Sequence, residues 1–168
     1  MNLLNRAKEF KSHLLKKEII FNFILIISIF LLDRFSKSSI INNFNESTYY
    51  VNDFINFDLI WNTGIGFGLL SNNSILIYHL ITALIGIVIL FLVYIVIISQ
   101  NAEKIIYSLV IGGAIGNFYD RVFFNAVPDF IDLHYNNFHW FTFNLADIFI
   151  SVGVLILILR SFLLESRI

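Results

Sequence analysis

Cysteine is absent from this 168-residue chain. That excludes disulfides, thiolate metal sites, a cysteine nucleophile and a lipid anchor on cysteine. Charge is scarce as well: Asp, Glu, Lys and Arg make up 14% of the residues, against roughly 25% in an ordinary soluble domain. The net charge of −1 leaves no basic surplus, so nucleic acid is excluded as a partner. There is one proline, and we find no internal repeat, linker or low-complexity tail. What fills the chain is apolar: 58% hydrophobic residues, with a mean hydropathy of +0.79. Those residues come in long runs, which describes a polytopic membrane protein better than a soluble domain with a large core.

Four apolar stretches are expected to be helices, at about residues 19–33, 75–98, 105–118 and 143–164 of a single membrane domain spanning 1–168. No alternating ten-residue pattern suggests an outer-membrane barrel. A span needs about 20 residues, so the short first and third stretches need their polar flanks at the interface or in a protein-lined cavity. Asp33-Arg34-Phe35 follows the first stretch where a signal peptide would have a small-residue cleavage site, so we read that stretch as an uncleaved anchor.

Charge fixes the topology. With a cytoplasmic N-terminus, Arg6, Lys8, Lys11, Lys16, Lys17, Lys104, Arg160 and Arg167 lie inside, and only Arg34, Lys37 and Arg121 lie outside. This split of 8 against 3 follows the positive-inside rule. Every aspartate falls on the outer side, in or beside two segments, 34–74 and 119–142. The first segment alternates enough to predict a few short surface strands. Its aromatic content suggests a lid or cradle over a substrate.

Ionisable residues at membrane depth are costly and usually functional. Asp33 is expected to close helix one, Asp120 and Arg121 to close helix three, and Asp147 to open helix four. Asp129 and Asp132 lie on the connection between the last two helices. Each also has a structural explanation: Asp147 suits a helix dipole, and Asp120-Arg121 suits a plain ion pair. Other chemistries fit poorly. His134 and His139 are five apart, not the His-x-x-x-His spacing of a zinc helix, and read as a surface pair. His79 reads as hydrogen-bonded within the bundle. Ser151 and Ser161 lack a Gly-x-Ser-x-Gly elbow. The glycine-rich run from Gly64 to Gly68 lacks the lysine of a phosphate loop. Gly112-Gly113-x-x-Gly116 suits close helix packing.

A pair of aspartates is the remaining option. Two neighbouring carboxyls cannot both ionise, so one stays protonated beside a charged partner. The charged one takes a proton from water, which attacks a peptide carbonyl, and the protonated one assists the oxygen and the leaving amine. Such a dyad needs no metal, serine or cysteine. The residues alone do not say which two aspartates pair.

Five ordered motifs narrow the choice. They are Asp33-Arg34-Phe35-Ser36-Lys37, Asn62-Thr63-Gly64-Ile65-Gly66-Phe67-Gly68, Gly112-Gly113-Ala114-Ile115-Gly116-Asn117-Phe118-Tyr119-Asp120-Arg121, Val127-Pro128-Asp129-Phe130 and Phe143-Asn144-Leu145-Ala146-Asp147. Together they resemble the lipoprotein signal peptidase (signal peptidase II) family from helix one to helix four. The resemblance implies an all-α membrane protein of four transmembrane helices, with a small extracytoplasmic β-containing segment between helices one and two. It implies a catalytic dyad of Asp129 and Asp147, supported by Asn117, Asn144, Arg121, Asp120, Asn62, Gly64, Asp33 and Lys37. It implies an aspartic-type endopeptidase of the bacterial inner membrane, its termini cytoplasmic and its site near the outer leaflet. That enzyme removes signal peptides from diacylglyceryl-modified prolipoproteins. Its partners are those precursors and membrane lipid; no cofactor, metal or second subunit is implied.

The departures from the family pattern are Arg34 for a glutamine, Ser36 for a threonine, Gly66 for an alanine, and Pro128 directly before Asp129. Proline fixes φ and removes a donor there, so Asp129 is the place to look for altered geometry. Two other readings fit less well. A presenilin-like protease shares Tyr119-Asp120 but needs more spans and a Gly-x-Gly-Asp. A proton-coupled transporter would carry acids deeper in its spans and on both sides of the membrane.

Overall fold

The computed structural model describes residues 17–44, 48–64, 75–99 and 102–165. The leader cations Arg6, Lys8, Lys11 and Lys16, the C-terminal Arg167 and the glycines Gly66 and Gly68 lie outside the described residues. So do parts of the 34–74 segment. The described chain forms four helices, α1 (Lys17–Asn43), α2 (Ile75–Ile98), α3 (Ala102–Phe124) and α4 (Leu145–Glu165). It also forms four strands, β1 (Tyr49–Asn52), β2 (Ile55–Asn62), β3 (Val127–Tyr135) and β4 (Phe138–Phe143).

Three helices are long and apolar enough to cross a membrane: Lys17–Asn43, Ile75–Ile98 and Leu145–Leu163. The remaining helix, α3, has 23 residues, a length of about 34 Å. It carries Glu103, Lys104, Asp120 and Arg121, and it packs against α1, α2 and α4. Its core side chains, Ile106, Val110 and Ile111, are buried by those neighbours. The outer helices instead expose most of their leucine, isoleucine and phenylalanine side chains. That inverted distribution is the one a lipid solvent favours, since lipid tails are as apolar as leucine.

Close approach to α3 depends on glycine. A Cβ on Gly112 would meet the Ile29 side chain of α1 at 2.8 Å, and one on Gly116 would run into the Asp33 carboxylate. The expected small-residue packing is therefore present, and it is what lets α1 deliver its acid against α3.

The boundary of α1 differs from expectation. The apolar run stops before Asp33, yet the helix continues to Asn43, which puts Asp33 inside it rather than at its end. The buried residues Asn22, Ile29, Asp33, Lys37 and Ile40 fall on one helical stripe. Hydropathy ends where charge begins, but α3 supplies partners for these charges, so the backbone has no reason to stop. Helix α3 likewise begins earlier and ends later than expected, because its polar ends are paired rather than solvated.

The strands form one antiparallel sheet in the order β1-β2-β3-β4. Strands in the first outer segment were expected; the hairpin β3–β4 in the second was not. Most of β3 is buried, so it lacks the half-buried alternation that reveals a strand in sequence. Chain reversal into β3 passes through Asn125 at φ 54°, and the β3–β4 turn through Asn136 at φ 52°, the left-handed region that asparagine tolerates. Pro128 sits near the start of β3 opposite Trp61, whereas β4 pairs only with residues from Ile131 to Tyr135. The missing N–H therefore costs no hydrogen bond on the β4 side.

Candidate active site

The last residues of β4 deliver Asn144 to the start of α4, and there it serves as the helix cap. Its Oδ1 accepts from the Asp147 backbone N–H at 3.1 Å, while its own N–H donates to Asp147 Oδ2 at 3.1 Å. This reciprocal exchange is a capping box built from Asn and Asp. The adjacent Ala146 N–H donates to Asp33 Oδ1 at 3.1 Å, so α1 satisfies a further free donor of the α4 terminus.

The same Asn144 reaches the other aspartate. Its Nδ2 donates to Asp129 Oδ1 at 2.6 Å, and Asn62 Nδ2 from β2 donates to Asp129 Oδ2 at 2.8 Å. Asn117 Nδ2 from α3 donates to Asp147 Oδ1 at 2.8 Å. Both carboxyl groups line one cavity of about 270 Å³, together with Asn62, Asn117, Arg121 and Ser151. Asp129 is 3% exposed. Burial chiefly, and then the charge of Asp147, push its carboxyl up to about 6, against the two asparagine donors and Lys37, which favour the ionised form.

Behind the aspartates stands a buried cation. Lys37 is fully buried, and its Nζ donates to Asp33 Oδ2, Asn117 Oδ1 and Asp120 Oδ2, each at 2.8 Å. An ammonium has three donors, and all three are used. Asp120 is also ion-paired to Arg34 Nη1 at 2.5 Å. Arg121, expected as the partner of Asp120, points elsewhere. Its Nη2 donates to the Gly64 carbonyl at 2.9 Å and its Nη1 to the Asn117 carbonyl at 3.3 Å. Gly64 N–H in turn donates to Asn62 Oδ1 at 2.8 Å.

All ten residues singled out from the motifs thus fall in one connected network. Asp33 and Asp120 hold Lys37, Lys37 holds Asn117, and Asn117 holds Asp147. Asn144 joins Asp147 to Asp129; Asn62, Gly64 and Arg121 return the path to Asn117. The sequence did not reveal the place of Arg34, which sits 5.0 Å from the Tyr119 ring centroid and on Asp120. It read there only as a departure from a motif. A second missed feature is on the hairpin. His134 is buried rather than at the surface, and it stacks on the exposed His139 beside Asp132. Strand pairing, which spacing alone does not encode, brings them together.

The family model described as signal peptidase (SPase) II matches residues 25–163. A lipoprotein signal peptidase of Pelagibacter ubique is 45% identical over 154 residues, covering 90% of this chain and 93% of that protein. One from Francisella tularensis subsp. novicida is 36% identical over 151 residues, covering 86% and 93%. A bacterial membrane enzyme solved by the in meso method at 2.3 Å resolution superposes with a TM-score of 0.71 at 30% identity, covering 88% of this chain and 90% of the other. A membrane protein by its apolar helices and its structural neighbour, the chain belongs to the signal peptidase II family of peptidases.

Proposed function

We propose that this chain is an aspartic-type endopeptidase that removes signal peptides from prolipoproteins, cutting before a cysteine that already carries a diacylglyceryl group. The observation that carries this reading is Asn144, whose one side chain holds Asp129 and Asp147 at a common cavity. The named relatives, lipoprotein signal peptidases, supply the substrate class.

In the proposed reaction the two carboxyls share one proton. The ionised one takes a proton from water as the water oxygen bonds to the scissile carbonyl carbon. The protonated one donates to the carbonyl oxygen, giving a neutral tetrahedral diol. The C–N bond then breaks, the amine nitrogen receives a proton from the dyad, and the new carboxyl end leaves. Asn62, Asn117 and Asn144 orient the carboxyl oxygens, and the Lys37 cluster fixes Asn117. Because these side chains are already hydrogen-bonded, little reorganisation is needed at the moment of reaction.

The same reading makes 1–168 a single domain in the bacterial inner membrane, with α3 as the fourth span. Its end bearing Glu103 and Lys104 lies with the start of α1 and the end of α4. Lys104 approaches Glu18 at 3.7 Å, and Arg160 approaches Glu103 at 3.3 Å. This cation-bearing end suits the cytoplasmic side. The sheet and the dyad then face the outer leaflet, where the diacylglyceryl chains would hold the cysteine at the depth of the cavity. Held there, the substrate reacts as a monomeric enzyme's neighbour rather than by bimolecular search.

The test is cleavage of a purified precursor in detergent or vesicles, with and without the diacylglyceryl group. Rapid cleavage of the modified precursor and little of the unmodified one is expected. Equal cleavage of both would remove the lipid from the argument, and cleavage of neither would remove the function.

A further inference from the structure

We propose that the β3–β4 hairpin carries a divalent-cation site of the zinc class, formed by Asp132, His134 and His139. One ligand atom from each lies within 4.8 Å of the others. The pivot is Asp132 Oδ2, which is 2.7 Å from His139 Nδ1 and 3.6 Å from His134 Nδ1. Around a tetrahedral zinc with bonds near 2.0–2.1 Å, ligand atoms stand about 3.3 Å apart. The two printed separations bracket that value.

The backbone builds this cluster by an irregularity. Asp132 and His134 are two apart on β3 and so share a face. Leu133 pairs with Phe141, yet His134 pairs with His139, so Trp140 is the extra residue of a β-bulge. In regular register His134 would face Trp140. The bulge exchanges a tryptophan for a histidine at that point and completes the trio.

Two further observations point to a missing ligand. His134 is 6% exposed, and its Nδ1 is buried without a hydrogen-bond partner. Asn56, opposite Asp132 on β2, has a buried Oδ1 in the same condition. Buried polar atoms without partners are uncommon and costly. An ion on Asp132 and His134 would employ the His134 nitrogen, with the Asn56 oxygen beside it for a bound water. His139 is exposed and gives the ion an entry path. Two imidazoles, one carboxylate and one open position suit zinc, cobalt or nickel better than calcium or magnesium.

By strand alternation this face of β3 is opposite the one bearing Asp129, so the ion would brace the hairpin rather than join the hydrolysis. The experiment is titration of the untagged, detergent-purified chain with Zn2+ by calorimetry and with Co2+ by visible absorption. One equivalent and a tetrahedral cobalt spectrum are expected. Loss of an outer-shell partner alone costs about 10- to 100-fold in metal affinity, so His139→Ala, which removes a ligand at an exposed position, should weaken binding by at least that much while precursor cleavage persists, and His134→Ala should weaken it further. His79→Ala on α2 should leave it unchanged. No stoichiometric binding, an octahedral spectrum, or wild-type affinity in the His134→Ala/His139→Ala double variant would overturn the site. Persistent cleavage in the same preparations separates failure of this proposal from failure of the peptidase reading.

Discussion

Asn144 and Asp147 hold each other across the first turn of α4, each accepting the other's backbone N–H. The exchange fixes the Asp147 side chain to the helix start before any substrate arrives. The asparagine amide group is then free to hold Asp129 of β3 at 2.6 Å. A local folding device, the helix cap, is thereby also the clamp between two chain segments that meet at the cavity. Stability and chemistry draw on the same side chain, so substitutions here should affect both, in separable proportions.

Replacing either dyad carboxyl with an amide should stop the reaction. Asp129→Asn and Asp147→Asn each remove a proton acceptor, a loss of roughly 10²–10⁴-fold or more in turnover. Both variants should still insert, and Asp53→Asn, in the exposed turn after β1, should cleave normally. Near-normal turnover by either dyad variant, measured on the diacylated precursor, would rule out the assignment.

Asn144→Ala tests the clamp. Loss of a cap costs about 1 kcal/mol, but Asp129 also loses the donor that aims it. The expected outcome is a kcat lowered at least tenfold with KM little changed, and a modest fall in melting temperature. Asn144→Ser supplies a neutral cap oxygen on a side chain too short to reach Asp129, so it should recover stability and not kcat. Equal recovery of both would mean that Asn144 acts through the helix alone.

The site was legible in the sequence because its members are short-range neighbours within motifs: Asp33 with Lys37, Asn117 with Asp120 and Arg121, Asn144 with Asp147. Their partners were less so. The pairing of Arg121 with Gly64 rather than Asp120 depends on how β2 meets α3, which no spacing encodes. The long α1 was hidden because hydropathy treats Lys37 as a stop, whereas the fold buries it among three acceptors. The β3–β4 hairpin was hidden because β3 is buried on both faces while β4 is mostly exposed, so neither strand shows half-buried alternation. What the sequence conveyed was chemistry in local register. What it withheld was compensation, by which one element makes another's charge tolerable.

Lys37→Met should be among the most damaging changes outside the dyad. It leaves Asp33 and Asp120 facing a fully buried position without their shared cation. Breaking a buried pair by removing one partner costs roughly 3–5 kcal/mol. Arg34 stays on Asp120, so the lower end of that range is expected. The double variant Lys37→Met/Asp33→Asn removes one of the stranded charges and should recover part of the loss in thermal unfolding in detergent. A single variant as stable as wild type would show that the cluster is solvated or dispensable.

The raised Asp129 carboxyl makes stability depend on pH in a definite direction. In the unfolded chain an aspartate titrates near 3.9; in the fold Asp129 is pushed up to about 6. The folded state therefore binds more protons between those values, and the stabilisation from holding this proton is complete below about pH 4 and lost as pH rises through about 6. A gap of about two units corresponds to roughly 3 kcal/mol. Asp129→Asn cannot ionise and lacks this dependence. The melting temperature of wild type relative to Asp129→Asn should therefore fall between about pH 4 and about pH 6, with the midpoint of the change near 5, and level off above that. A difference that stays flat or rises over that interval would mean that Asp129 is not held in a buried site beside a second carboxylate.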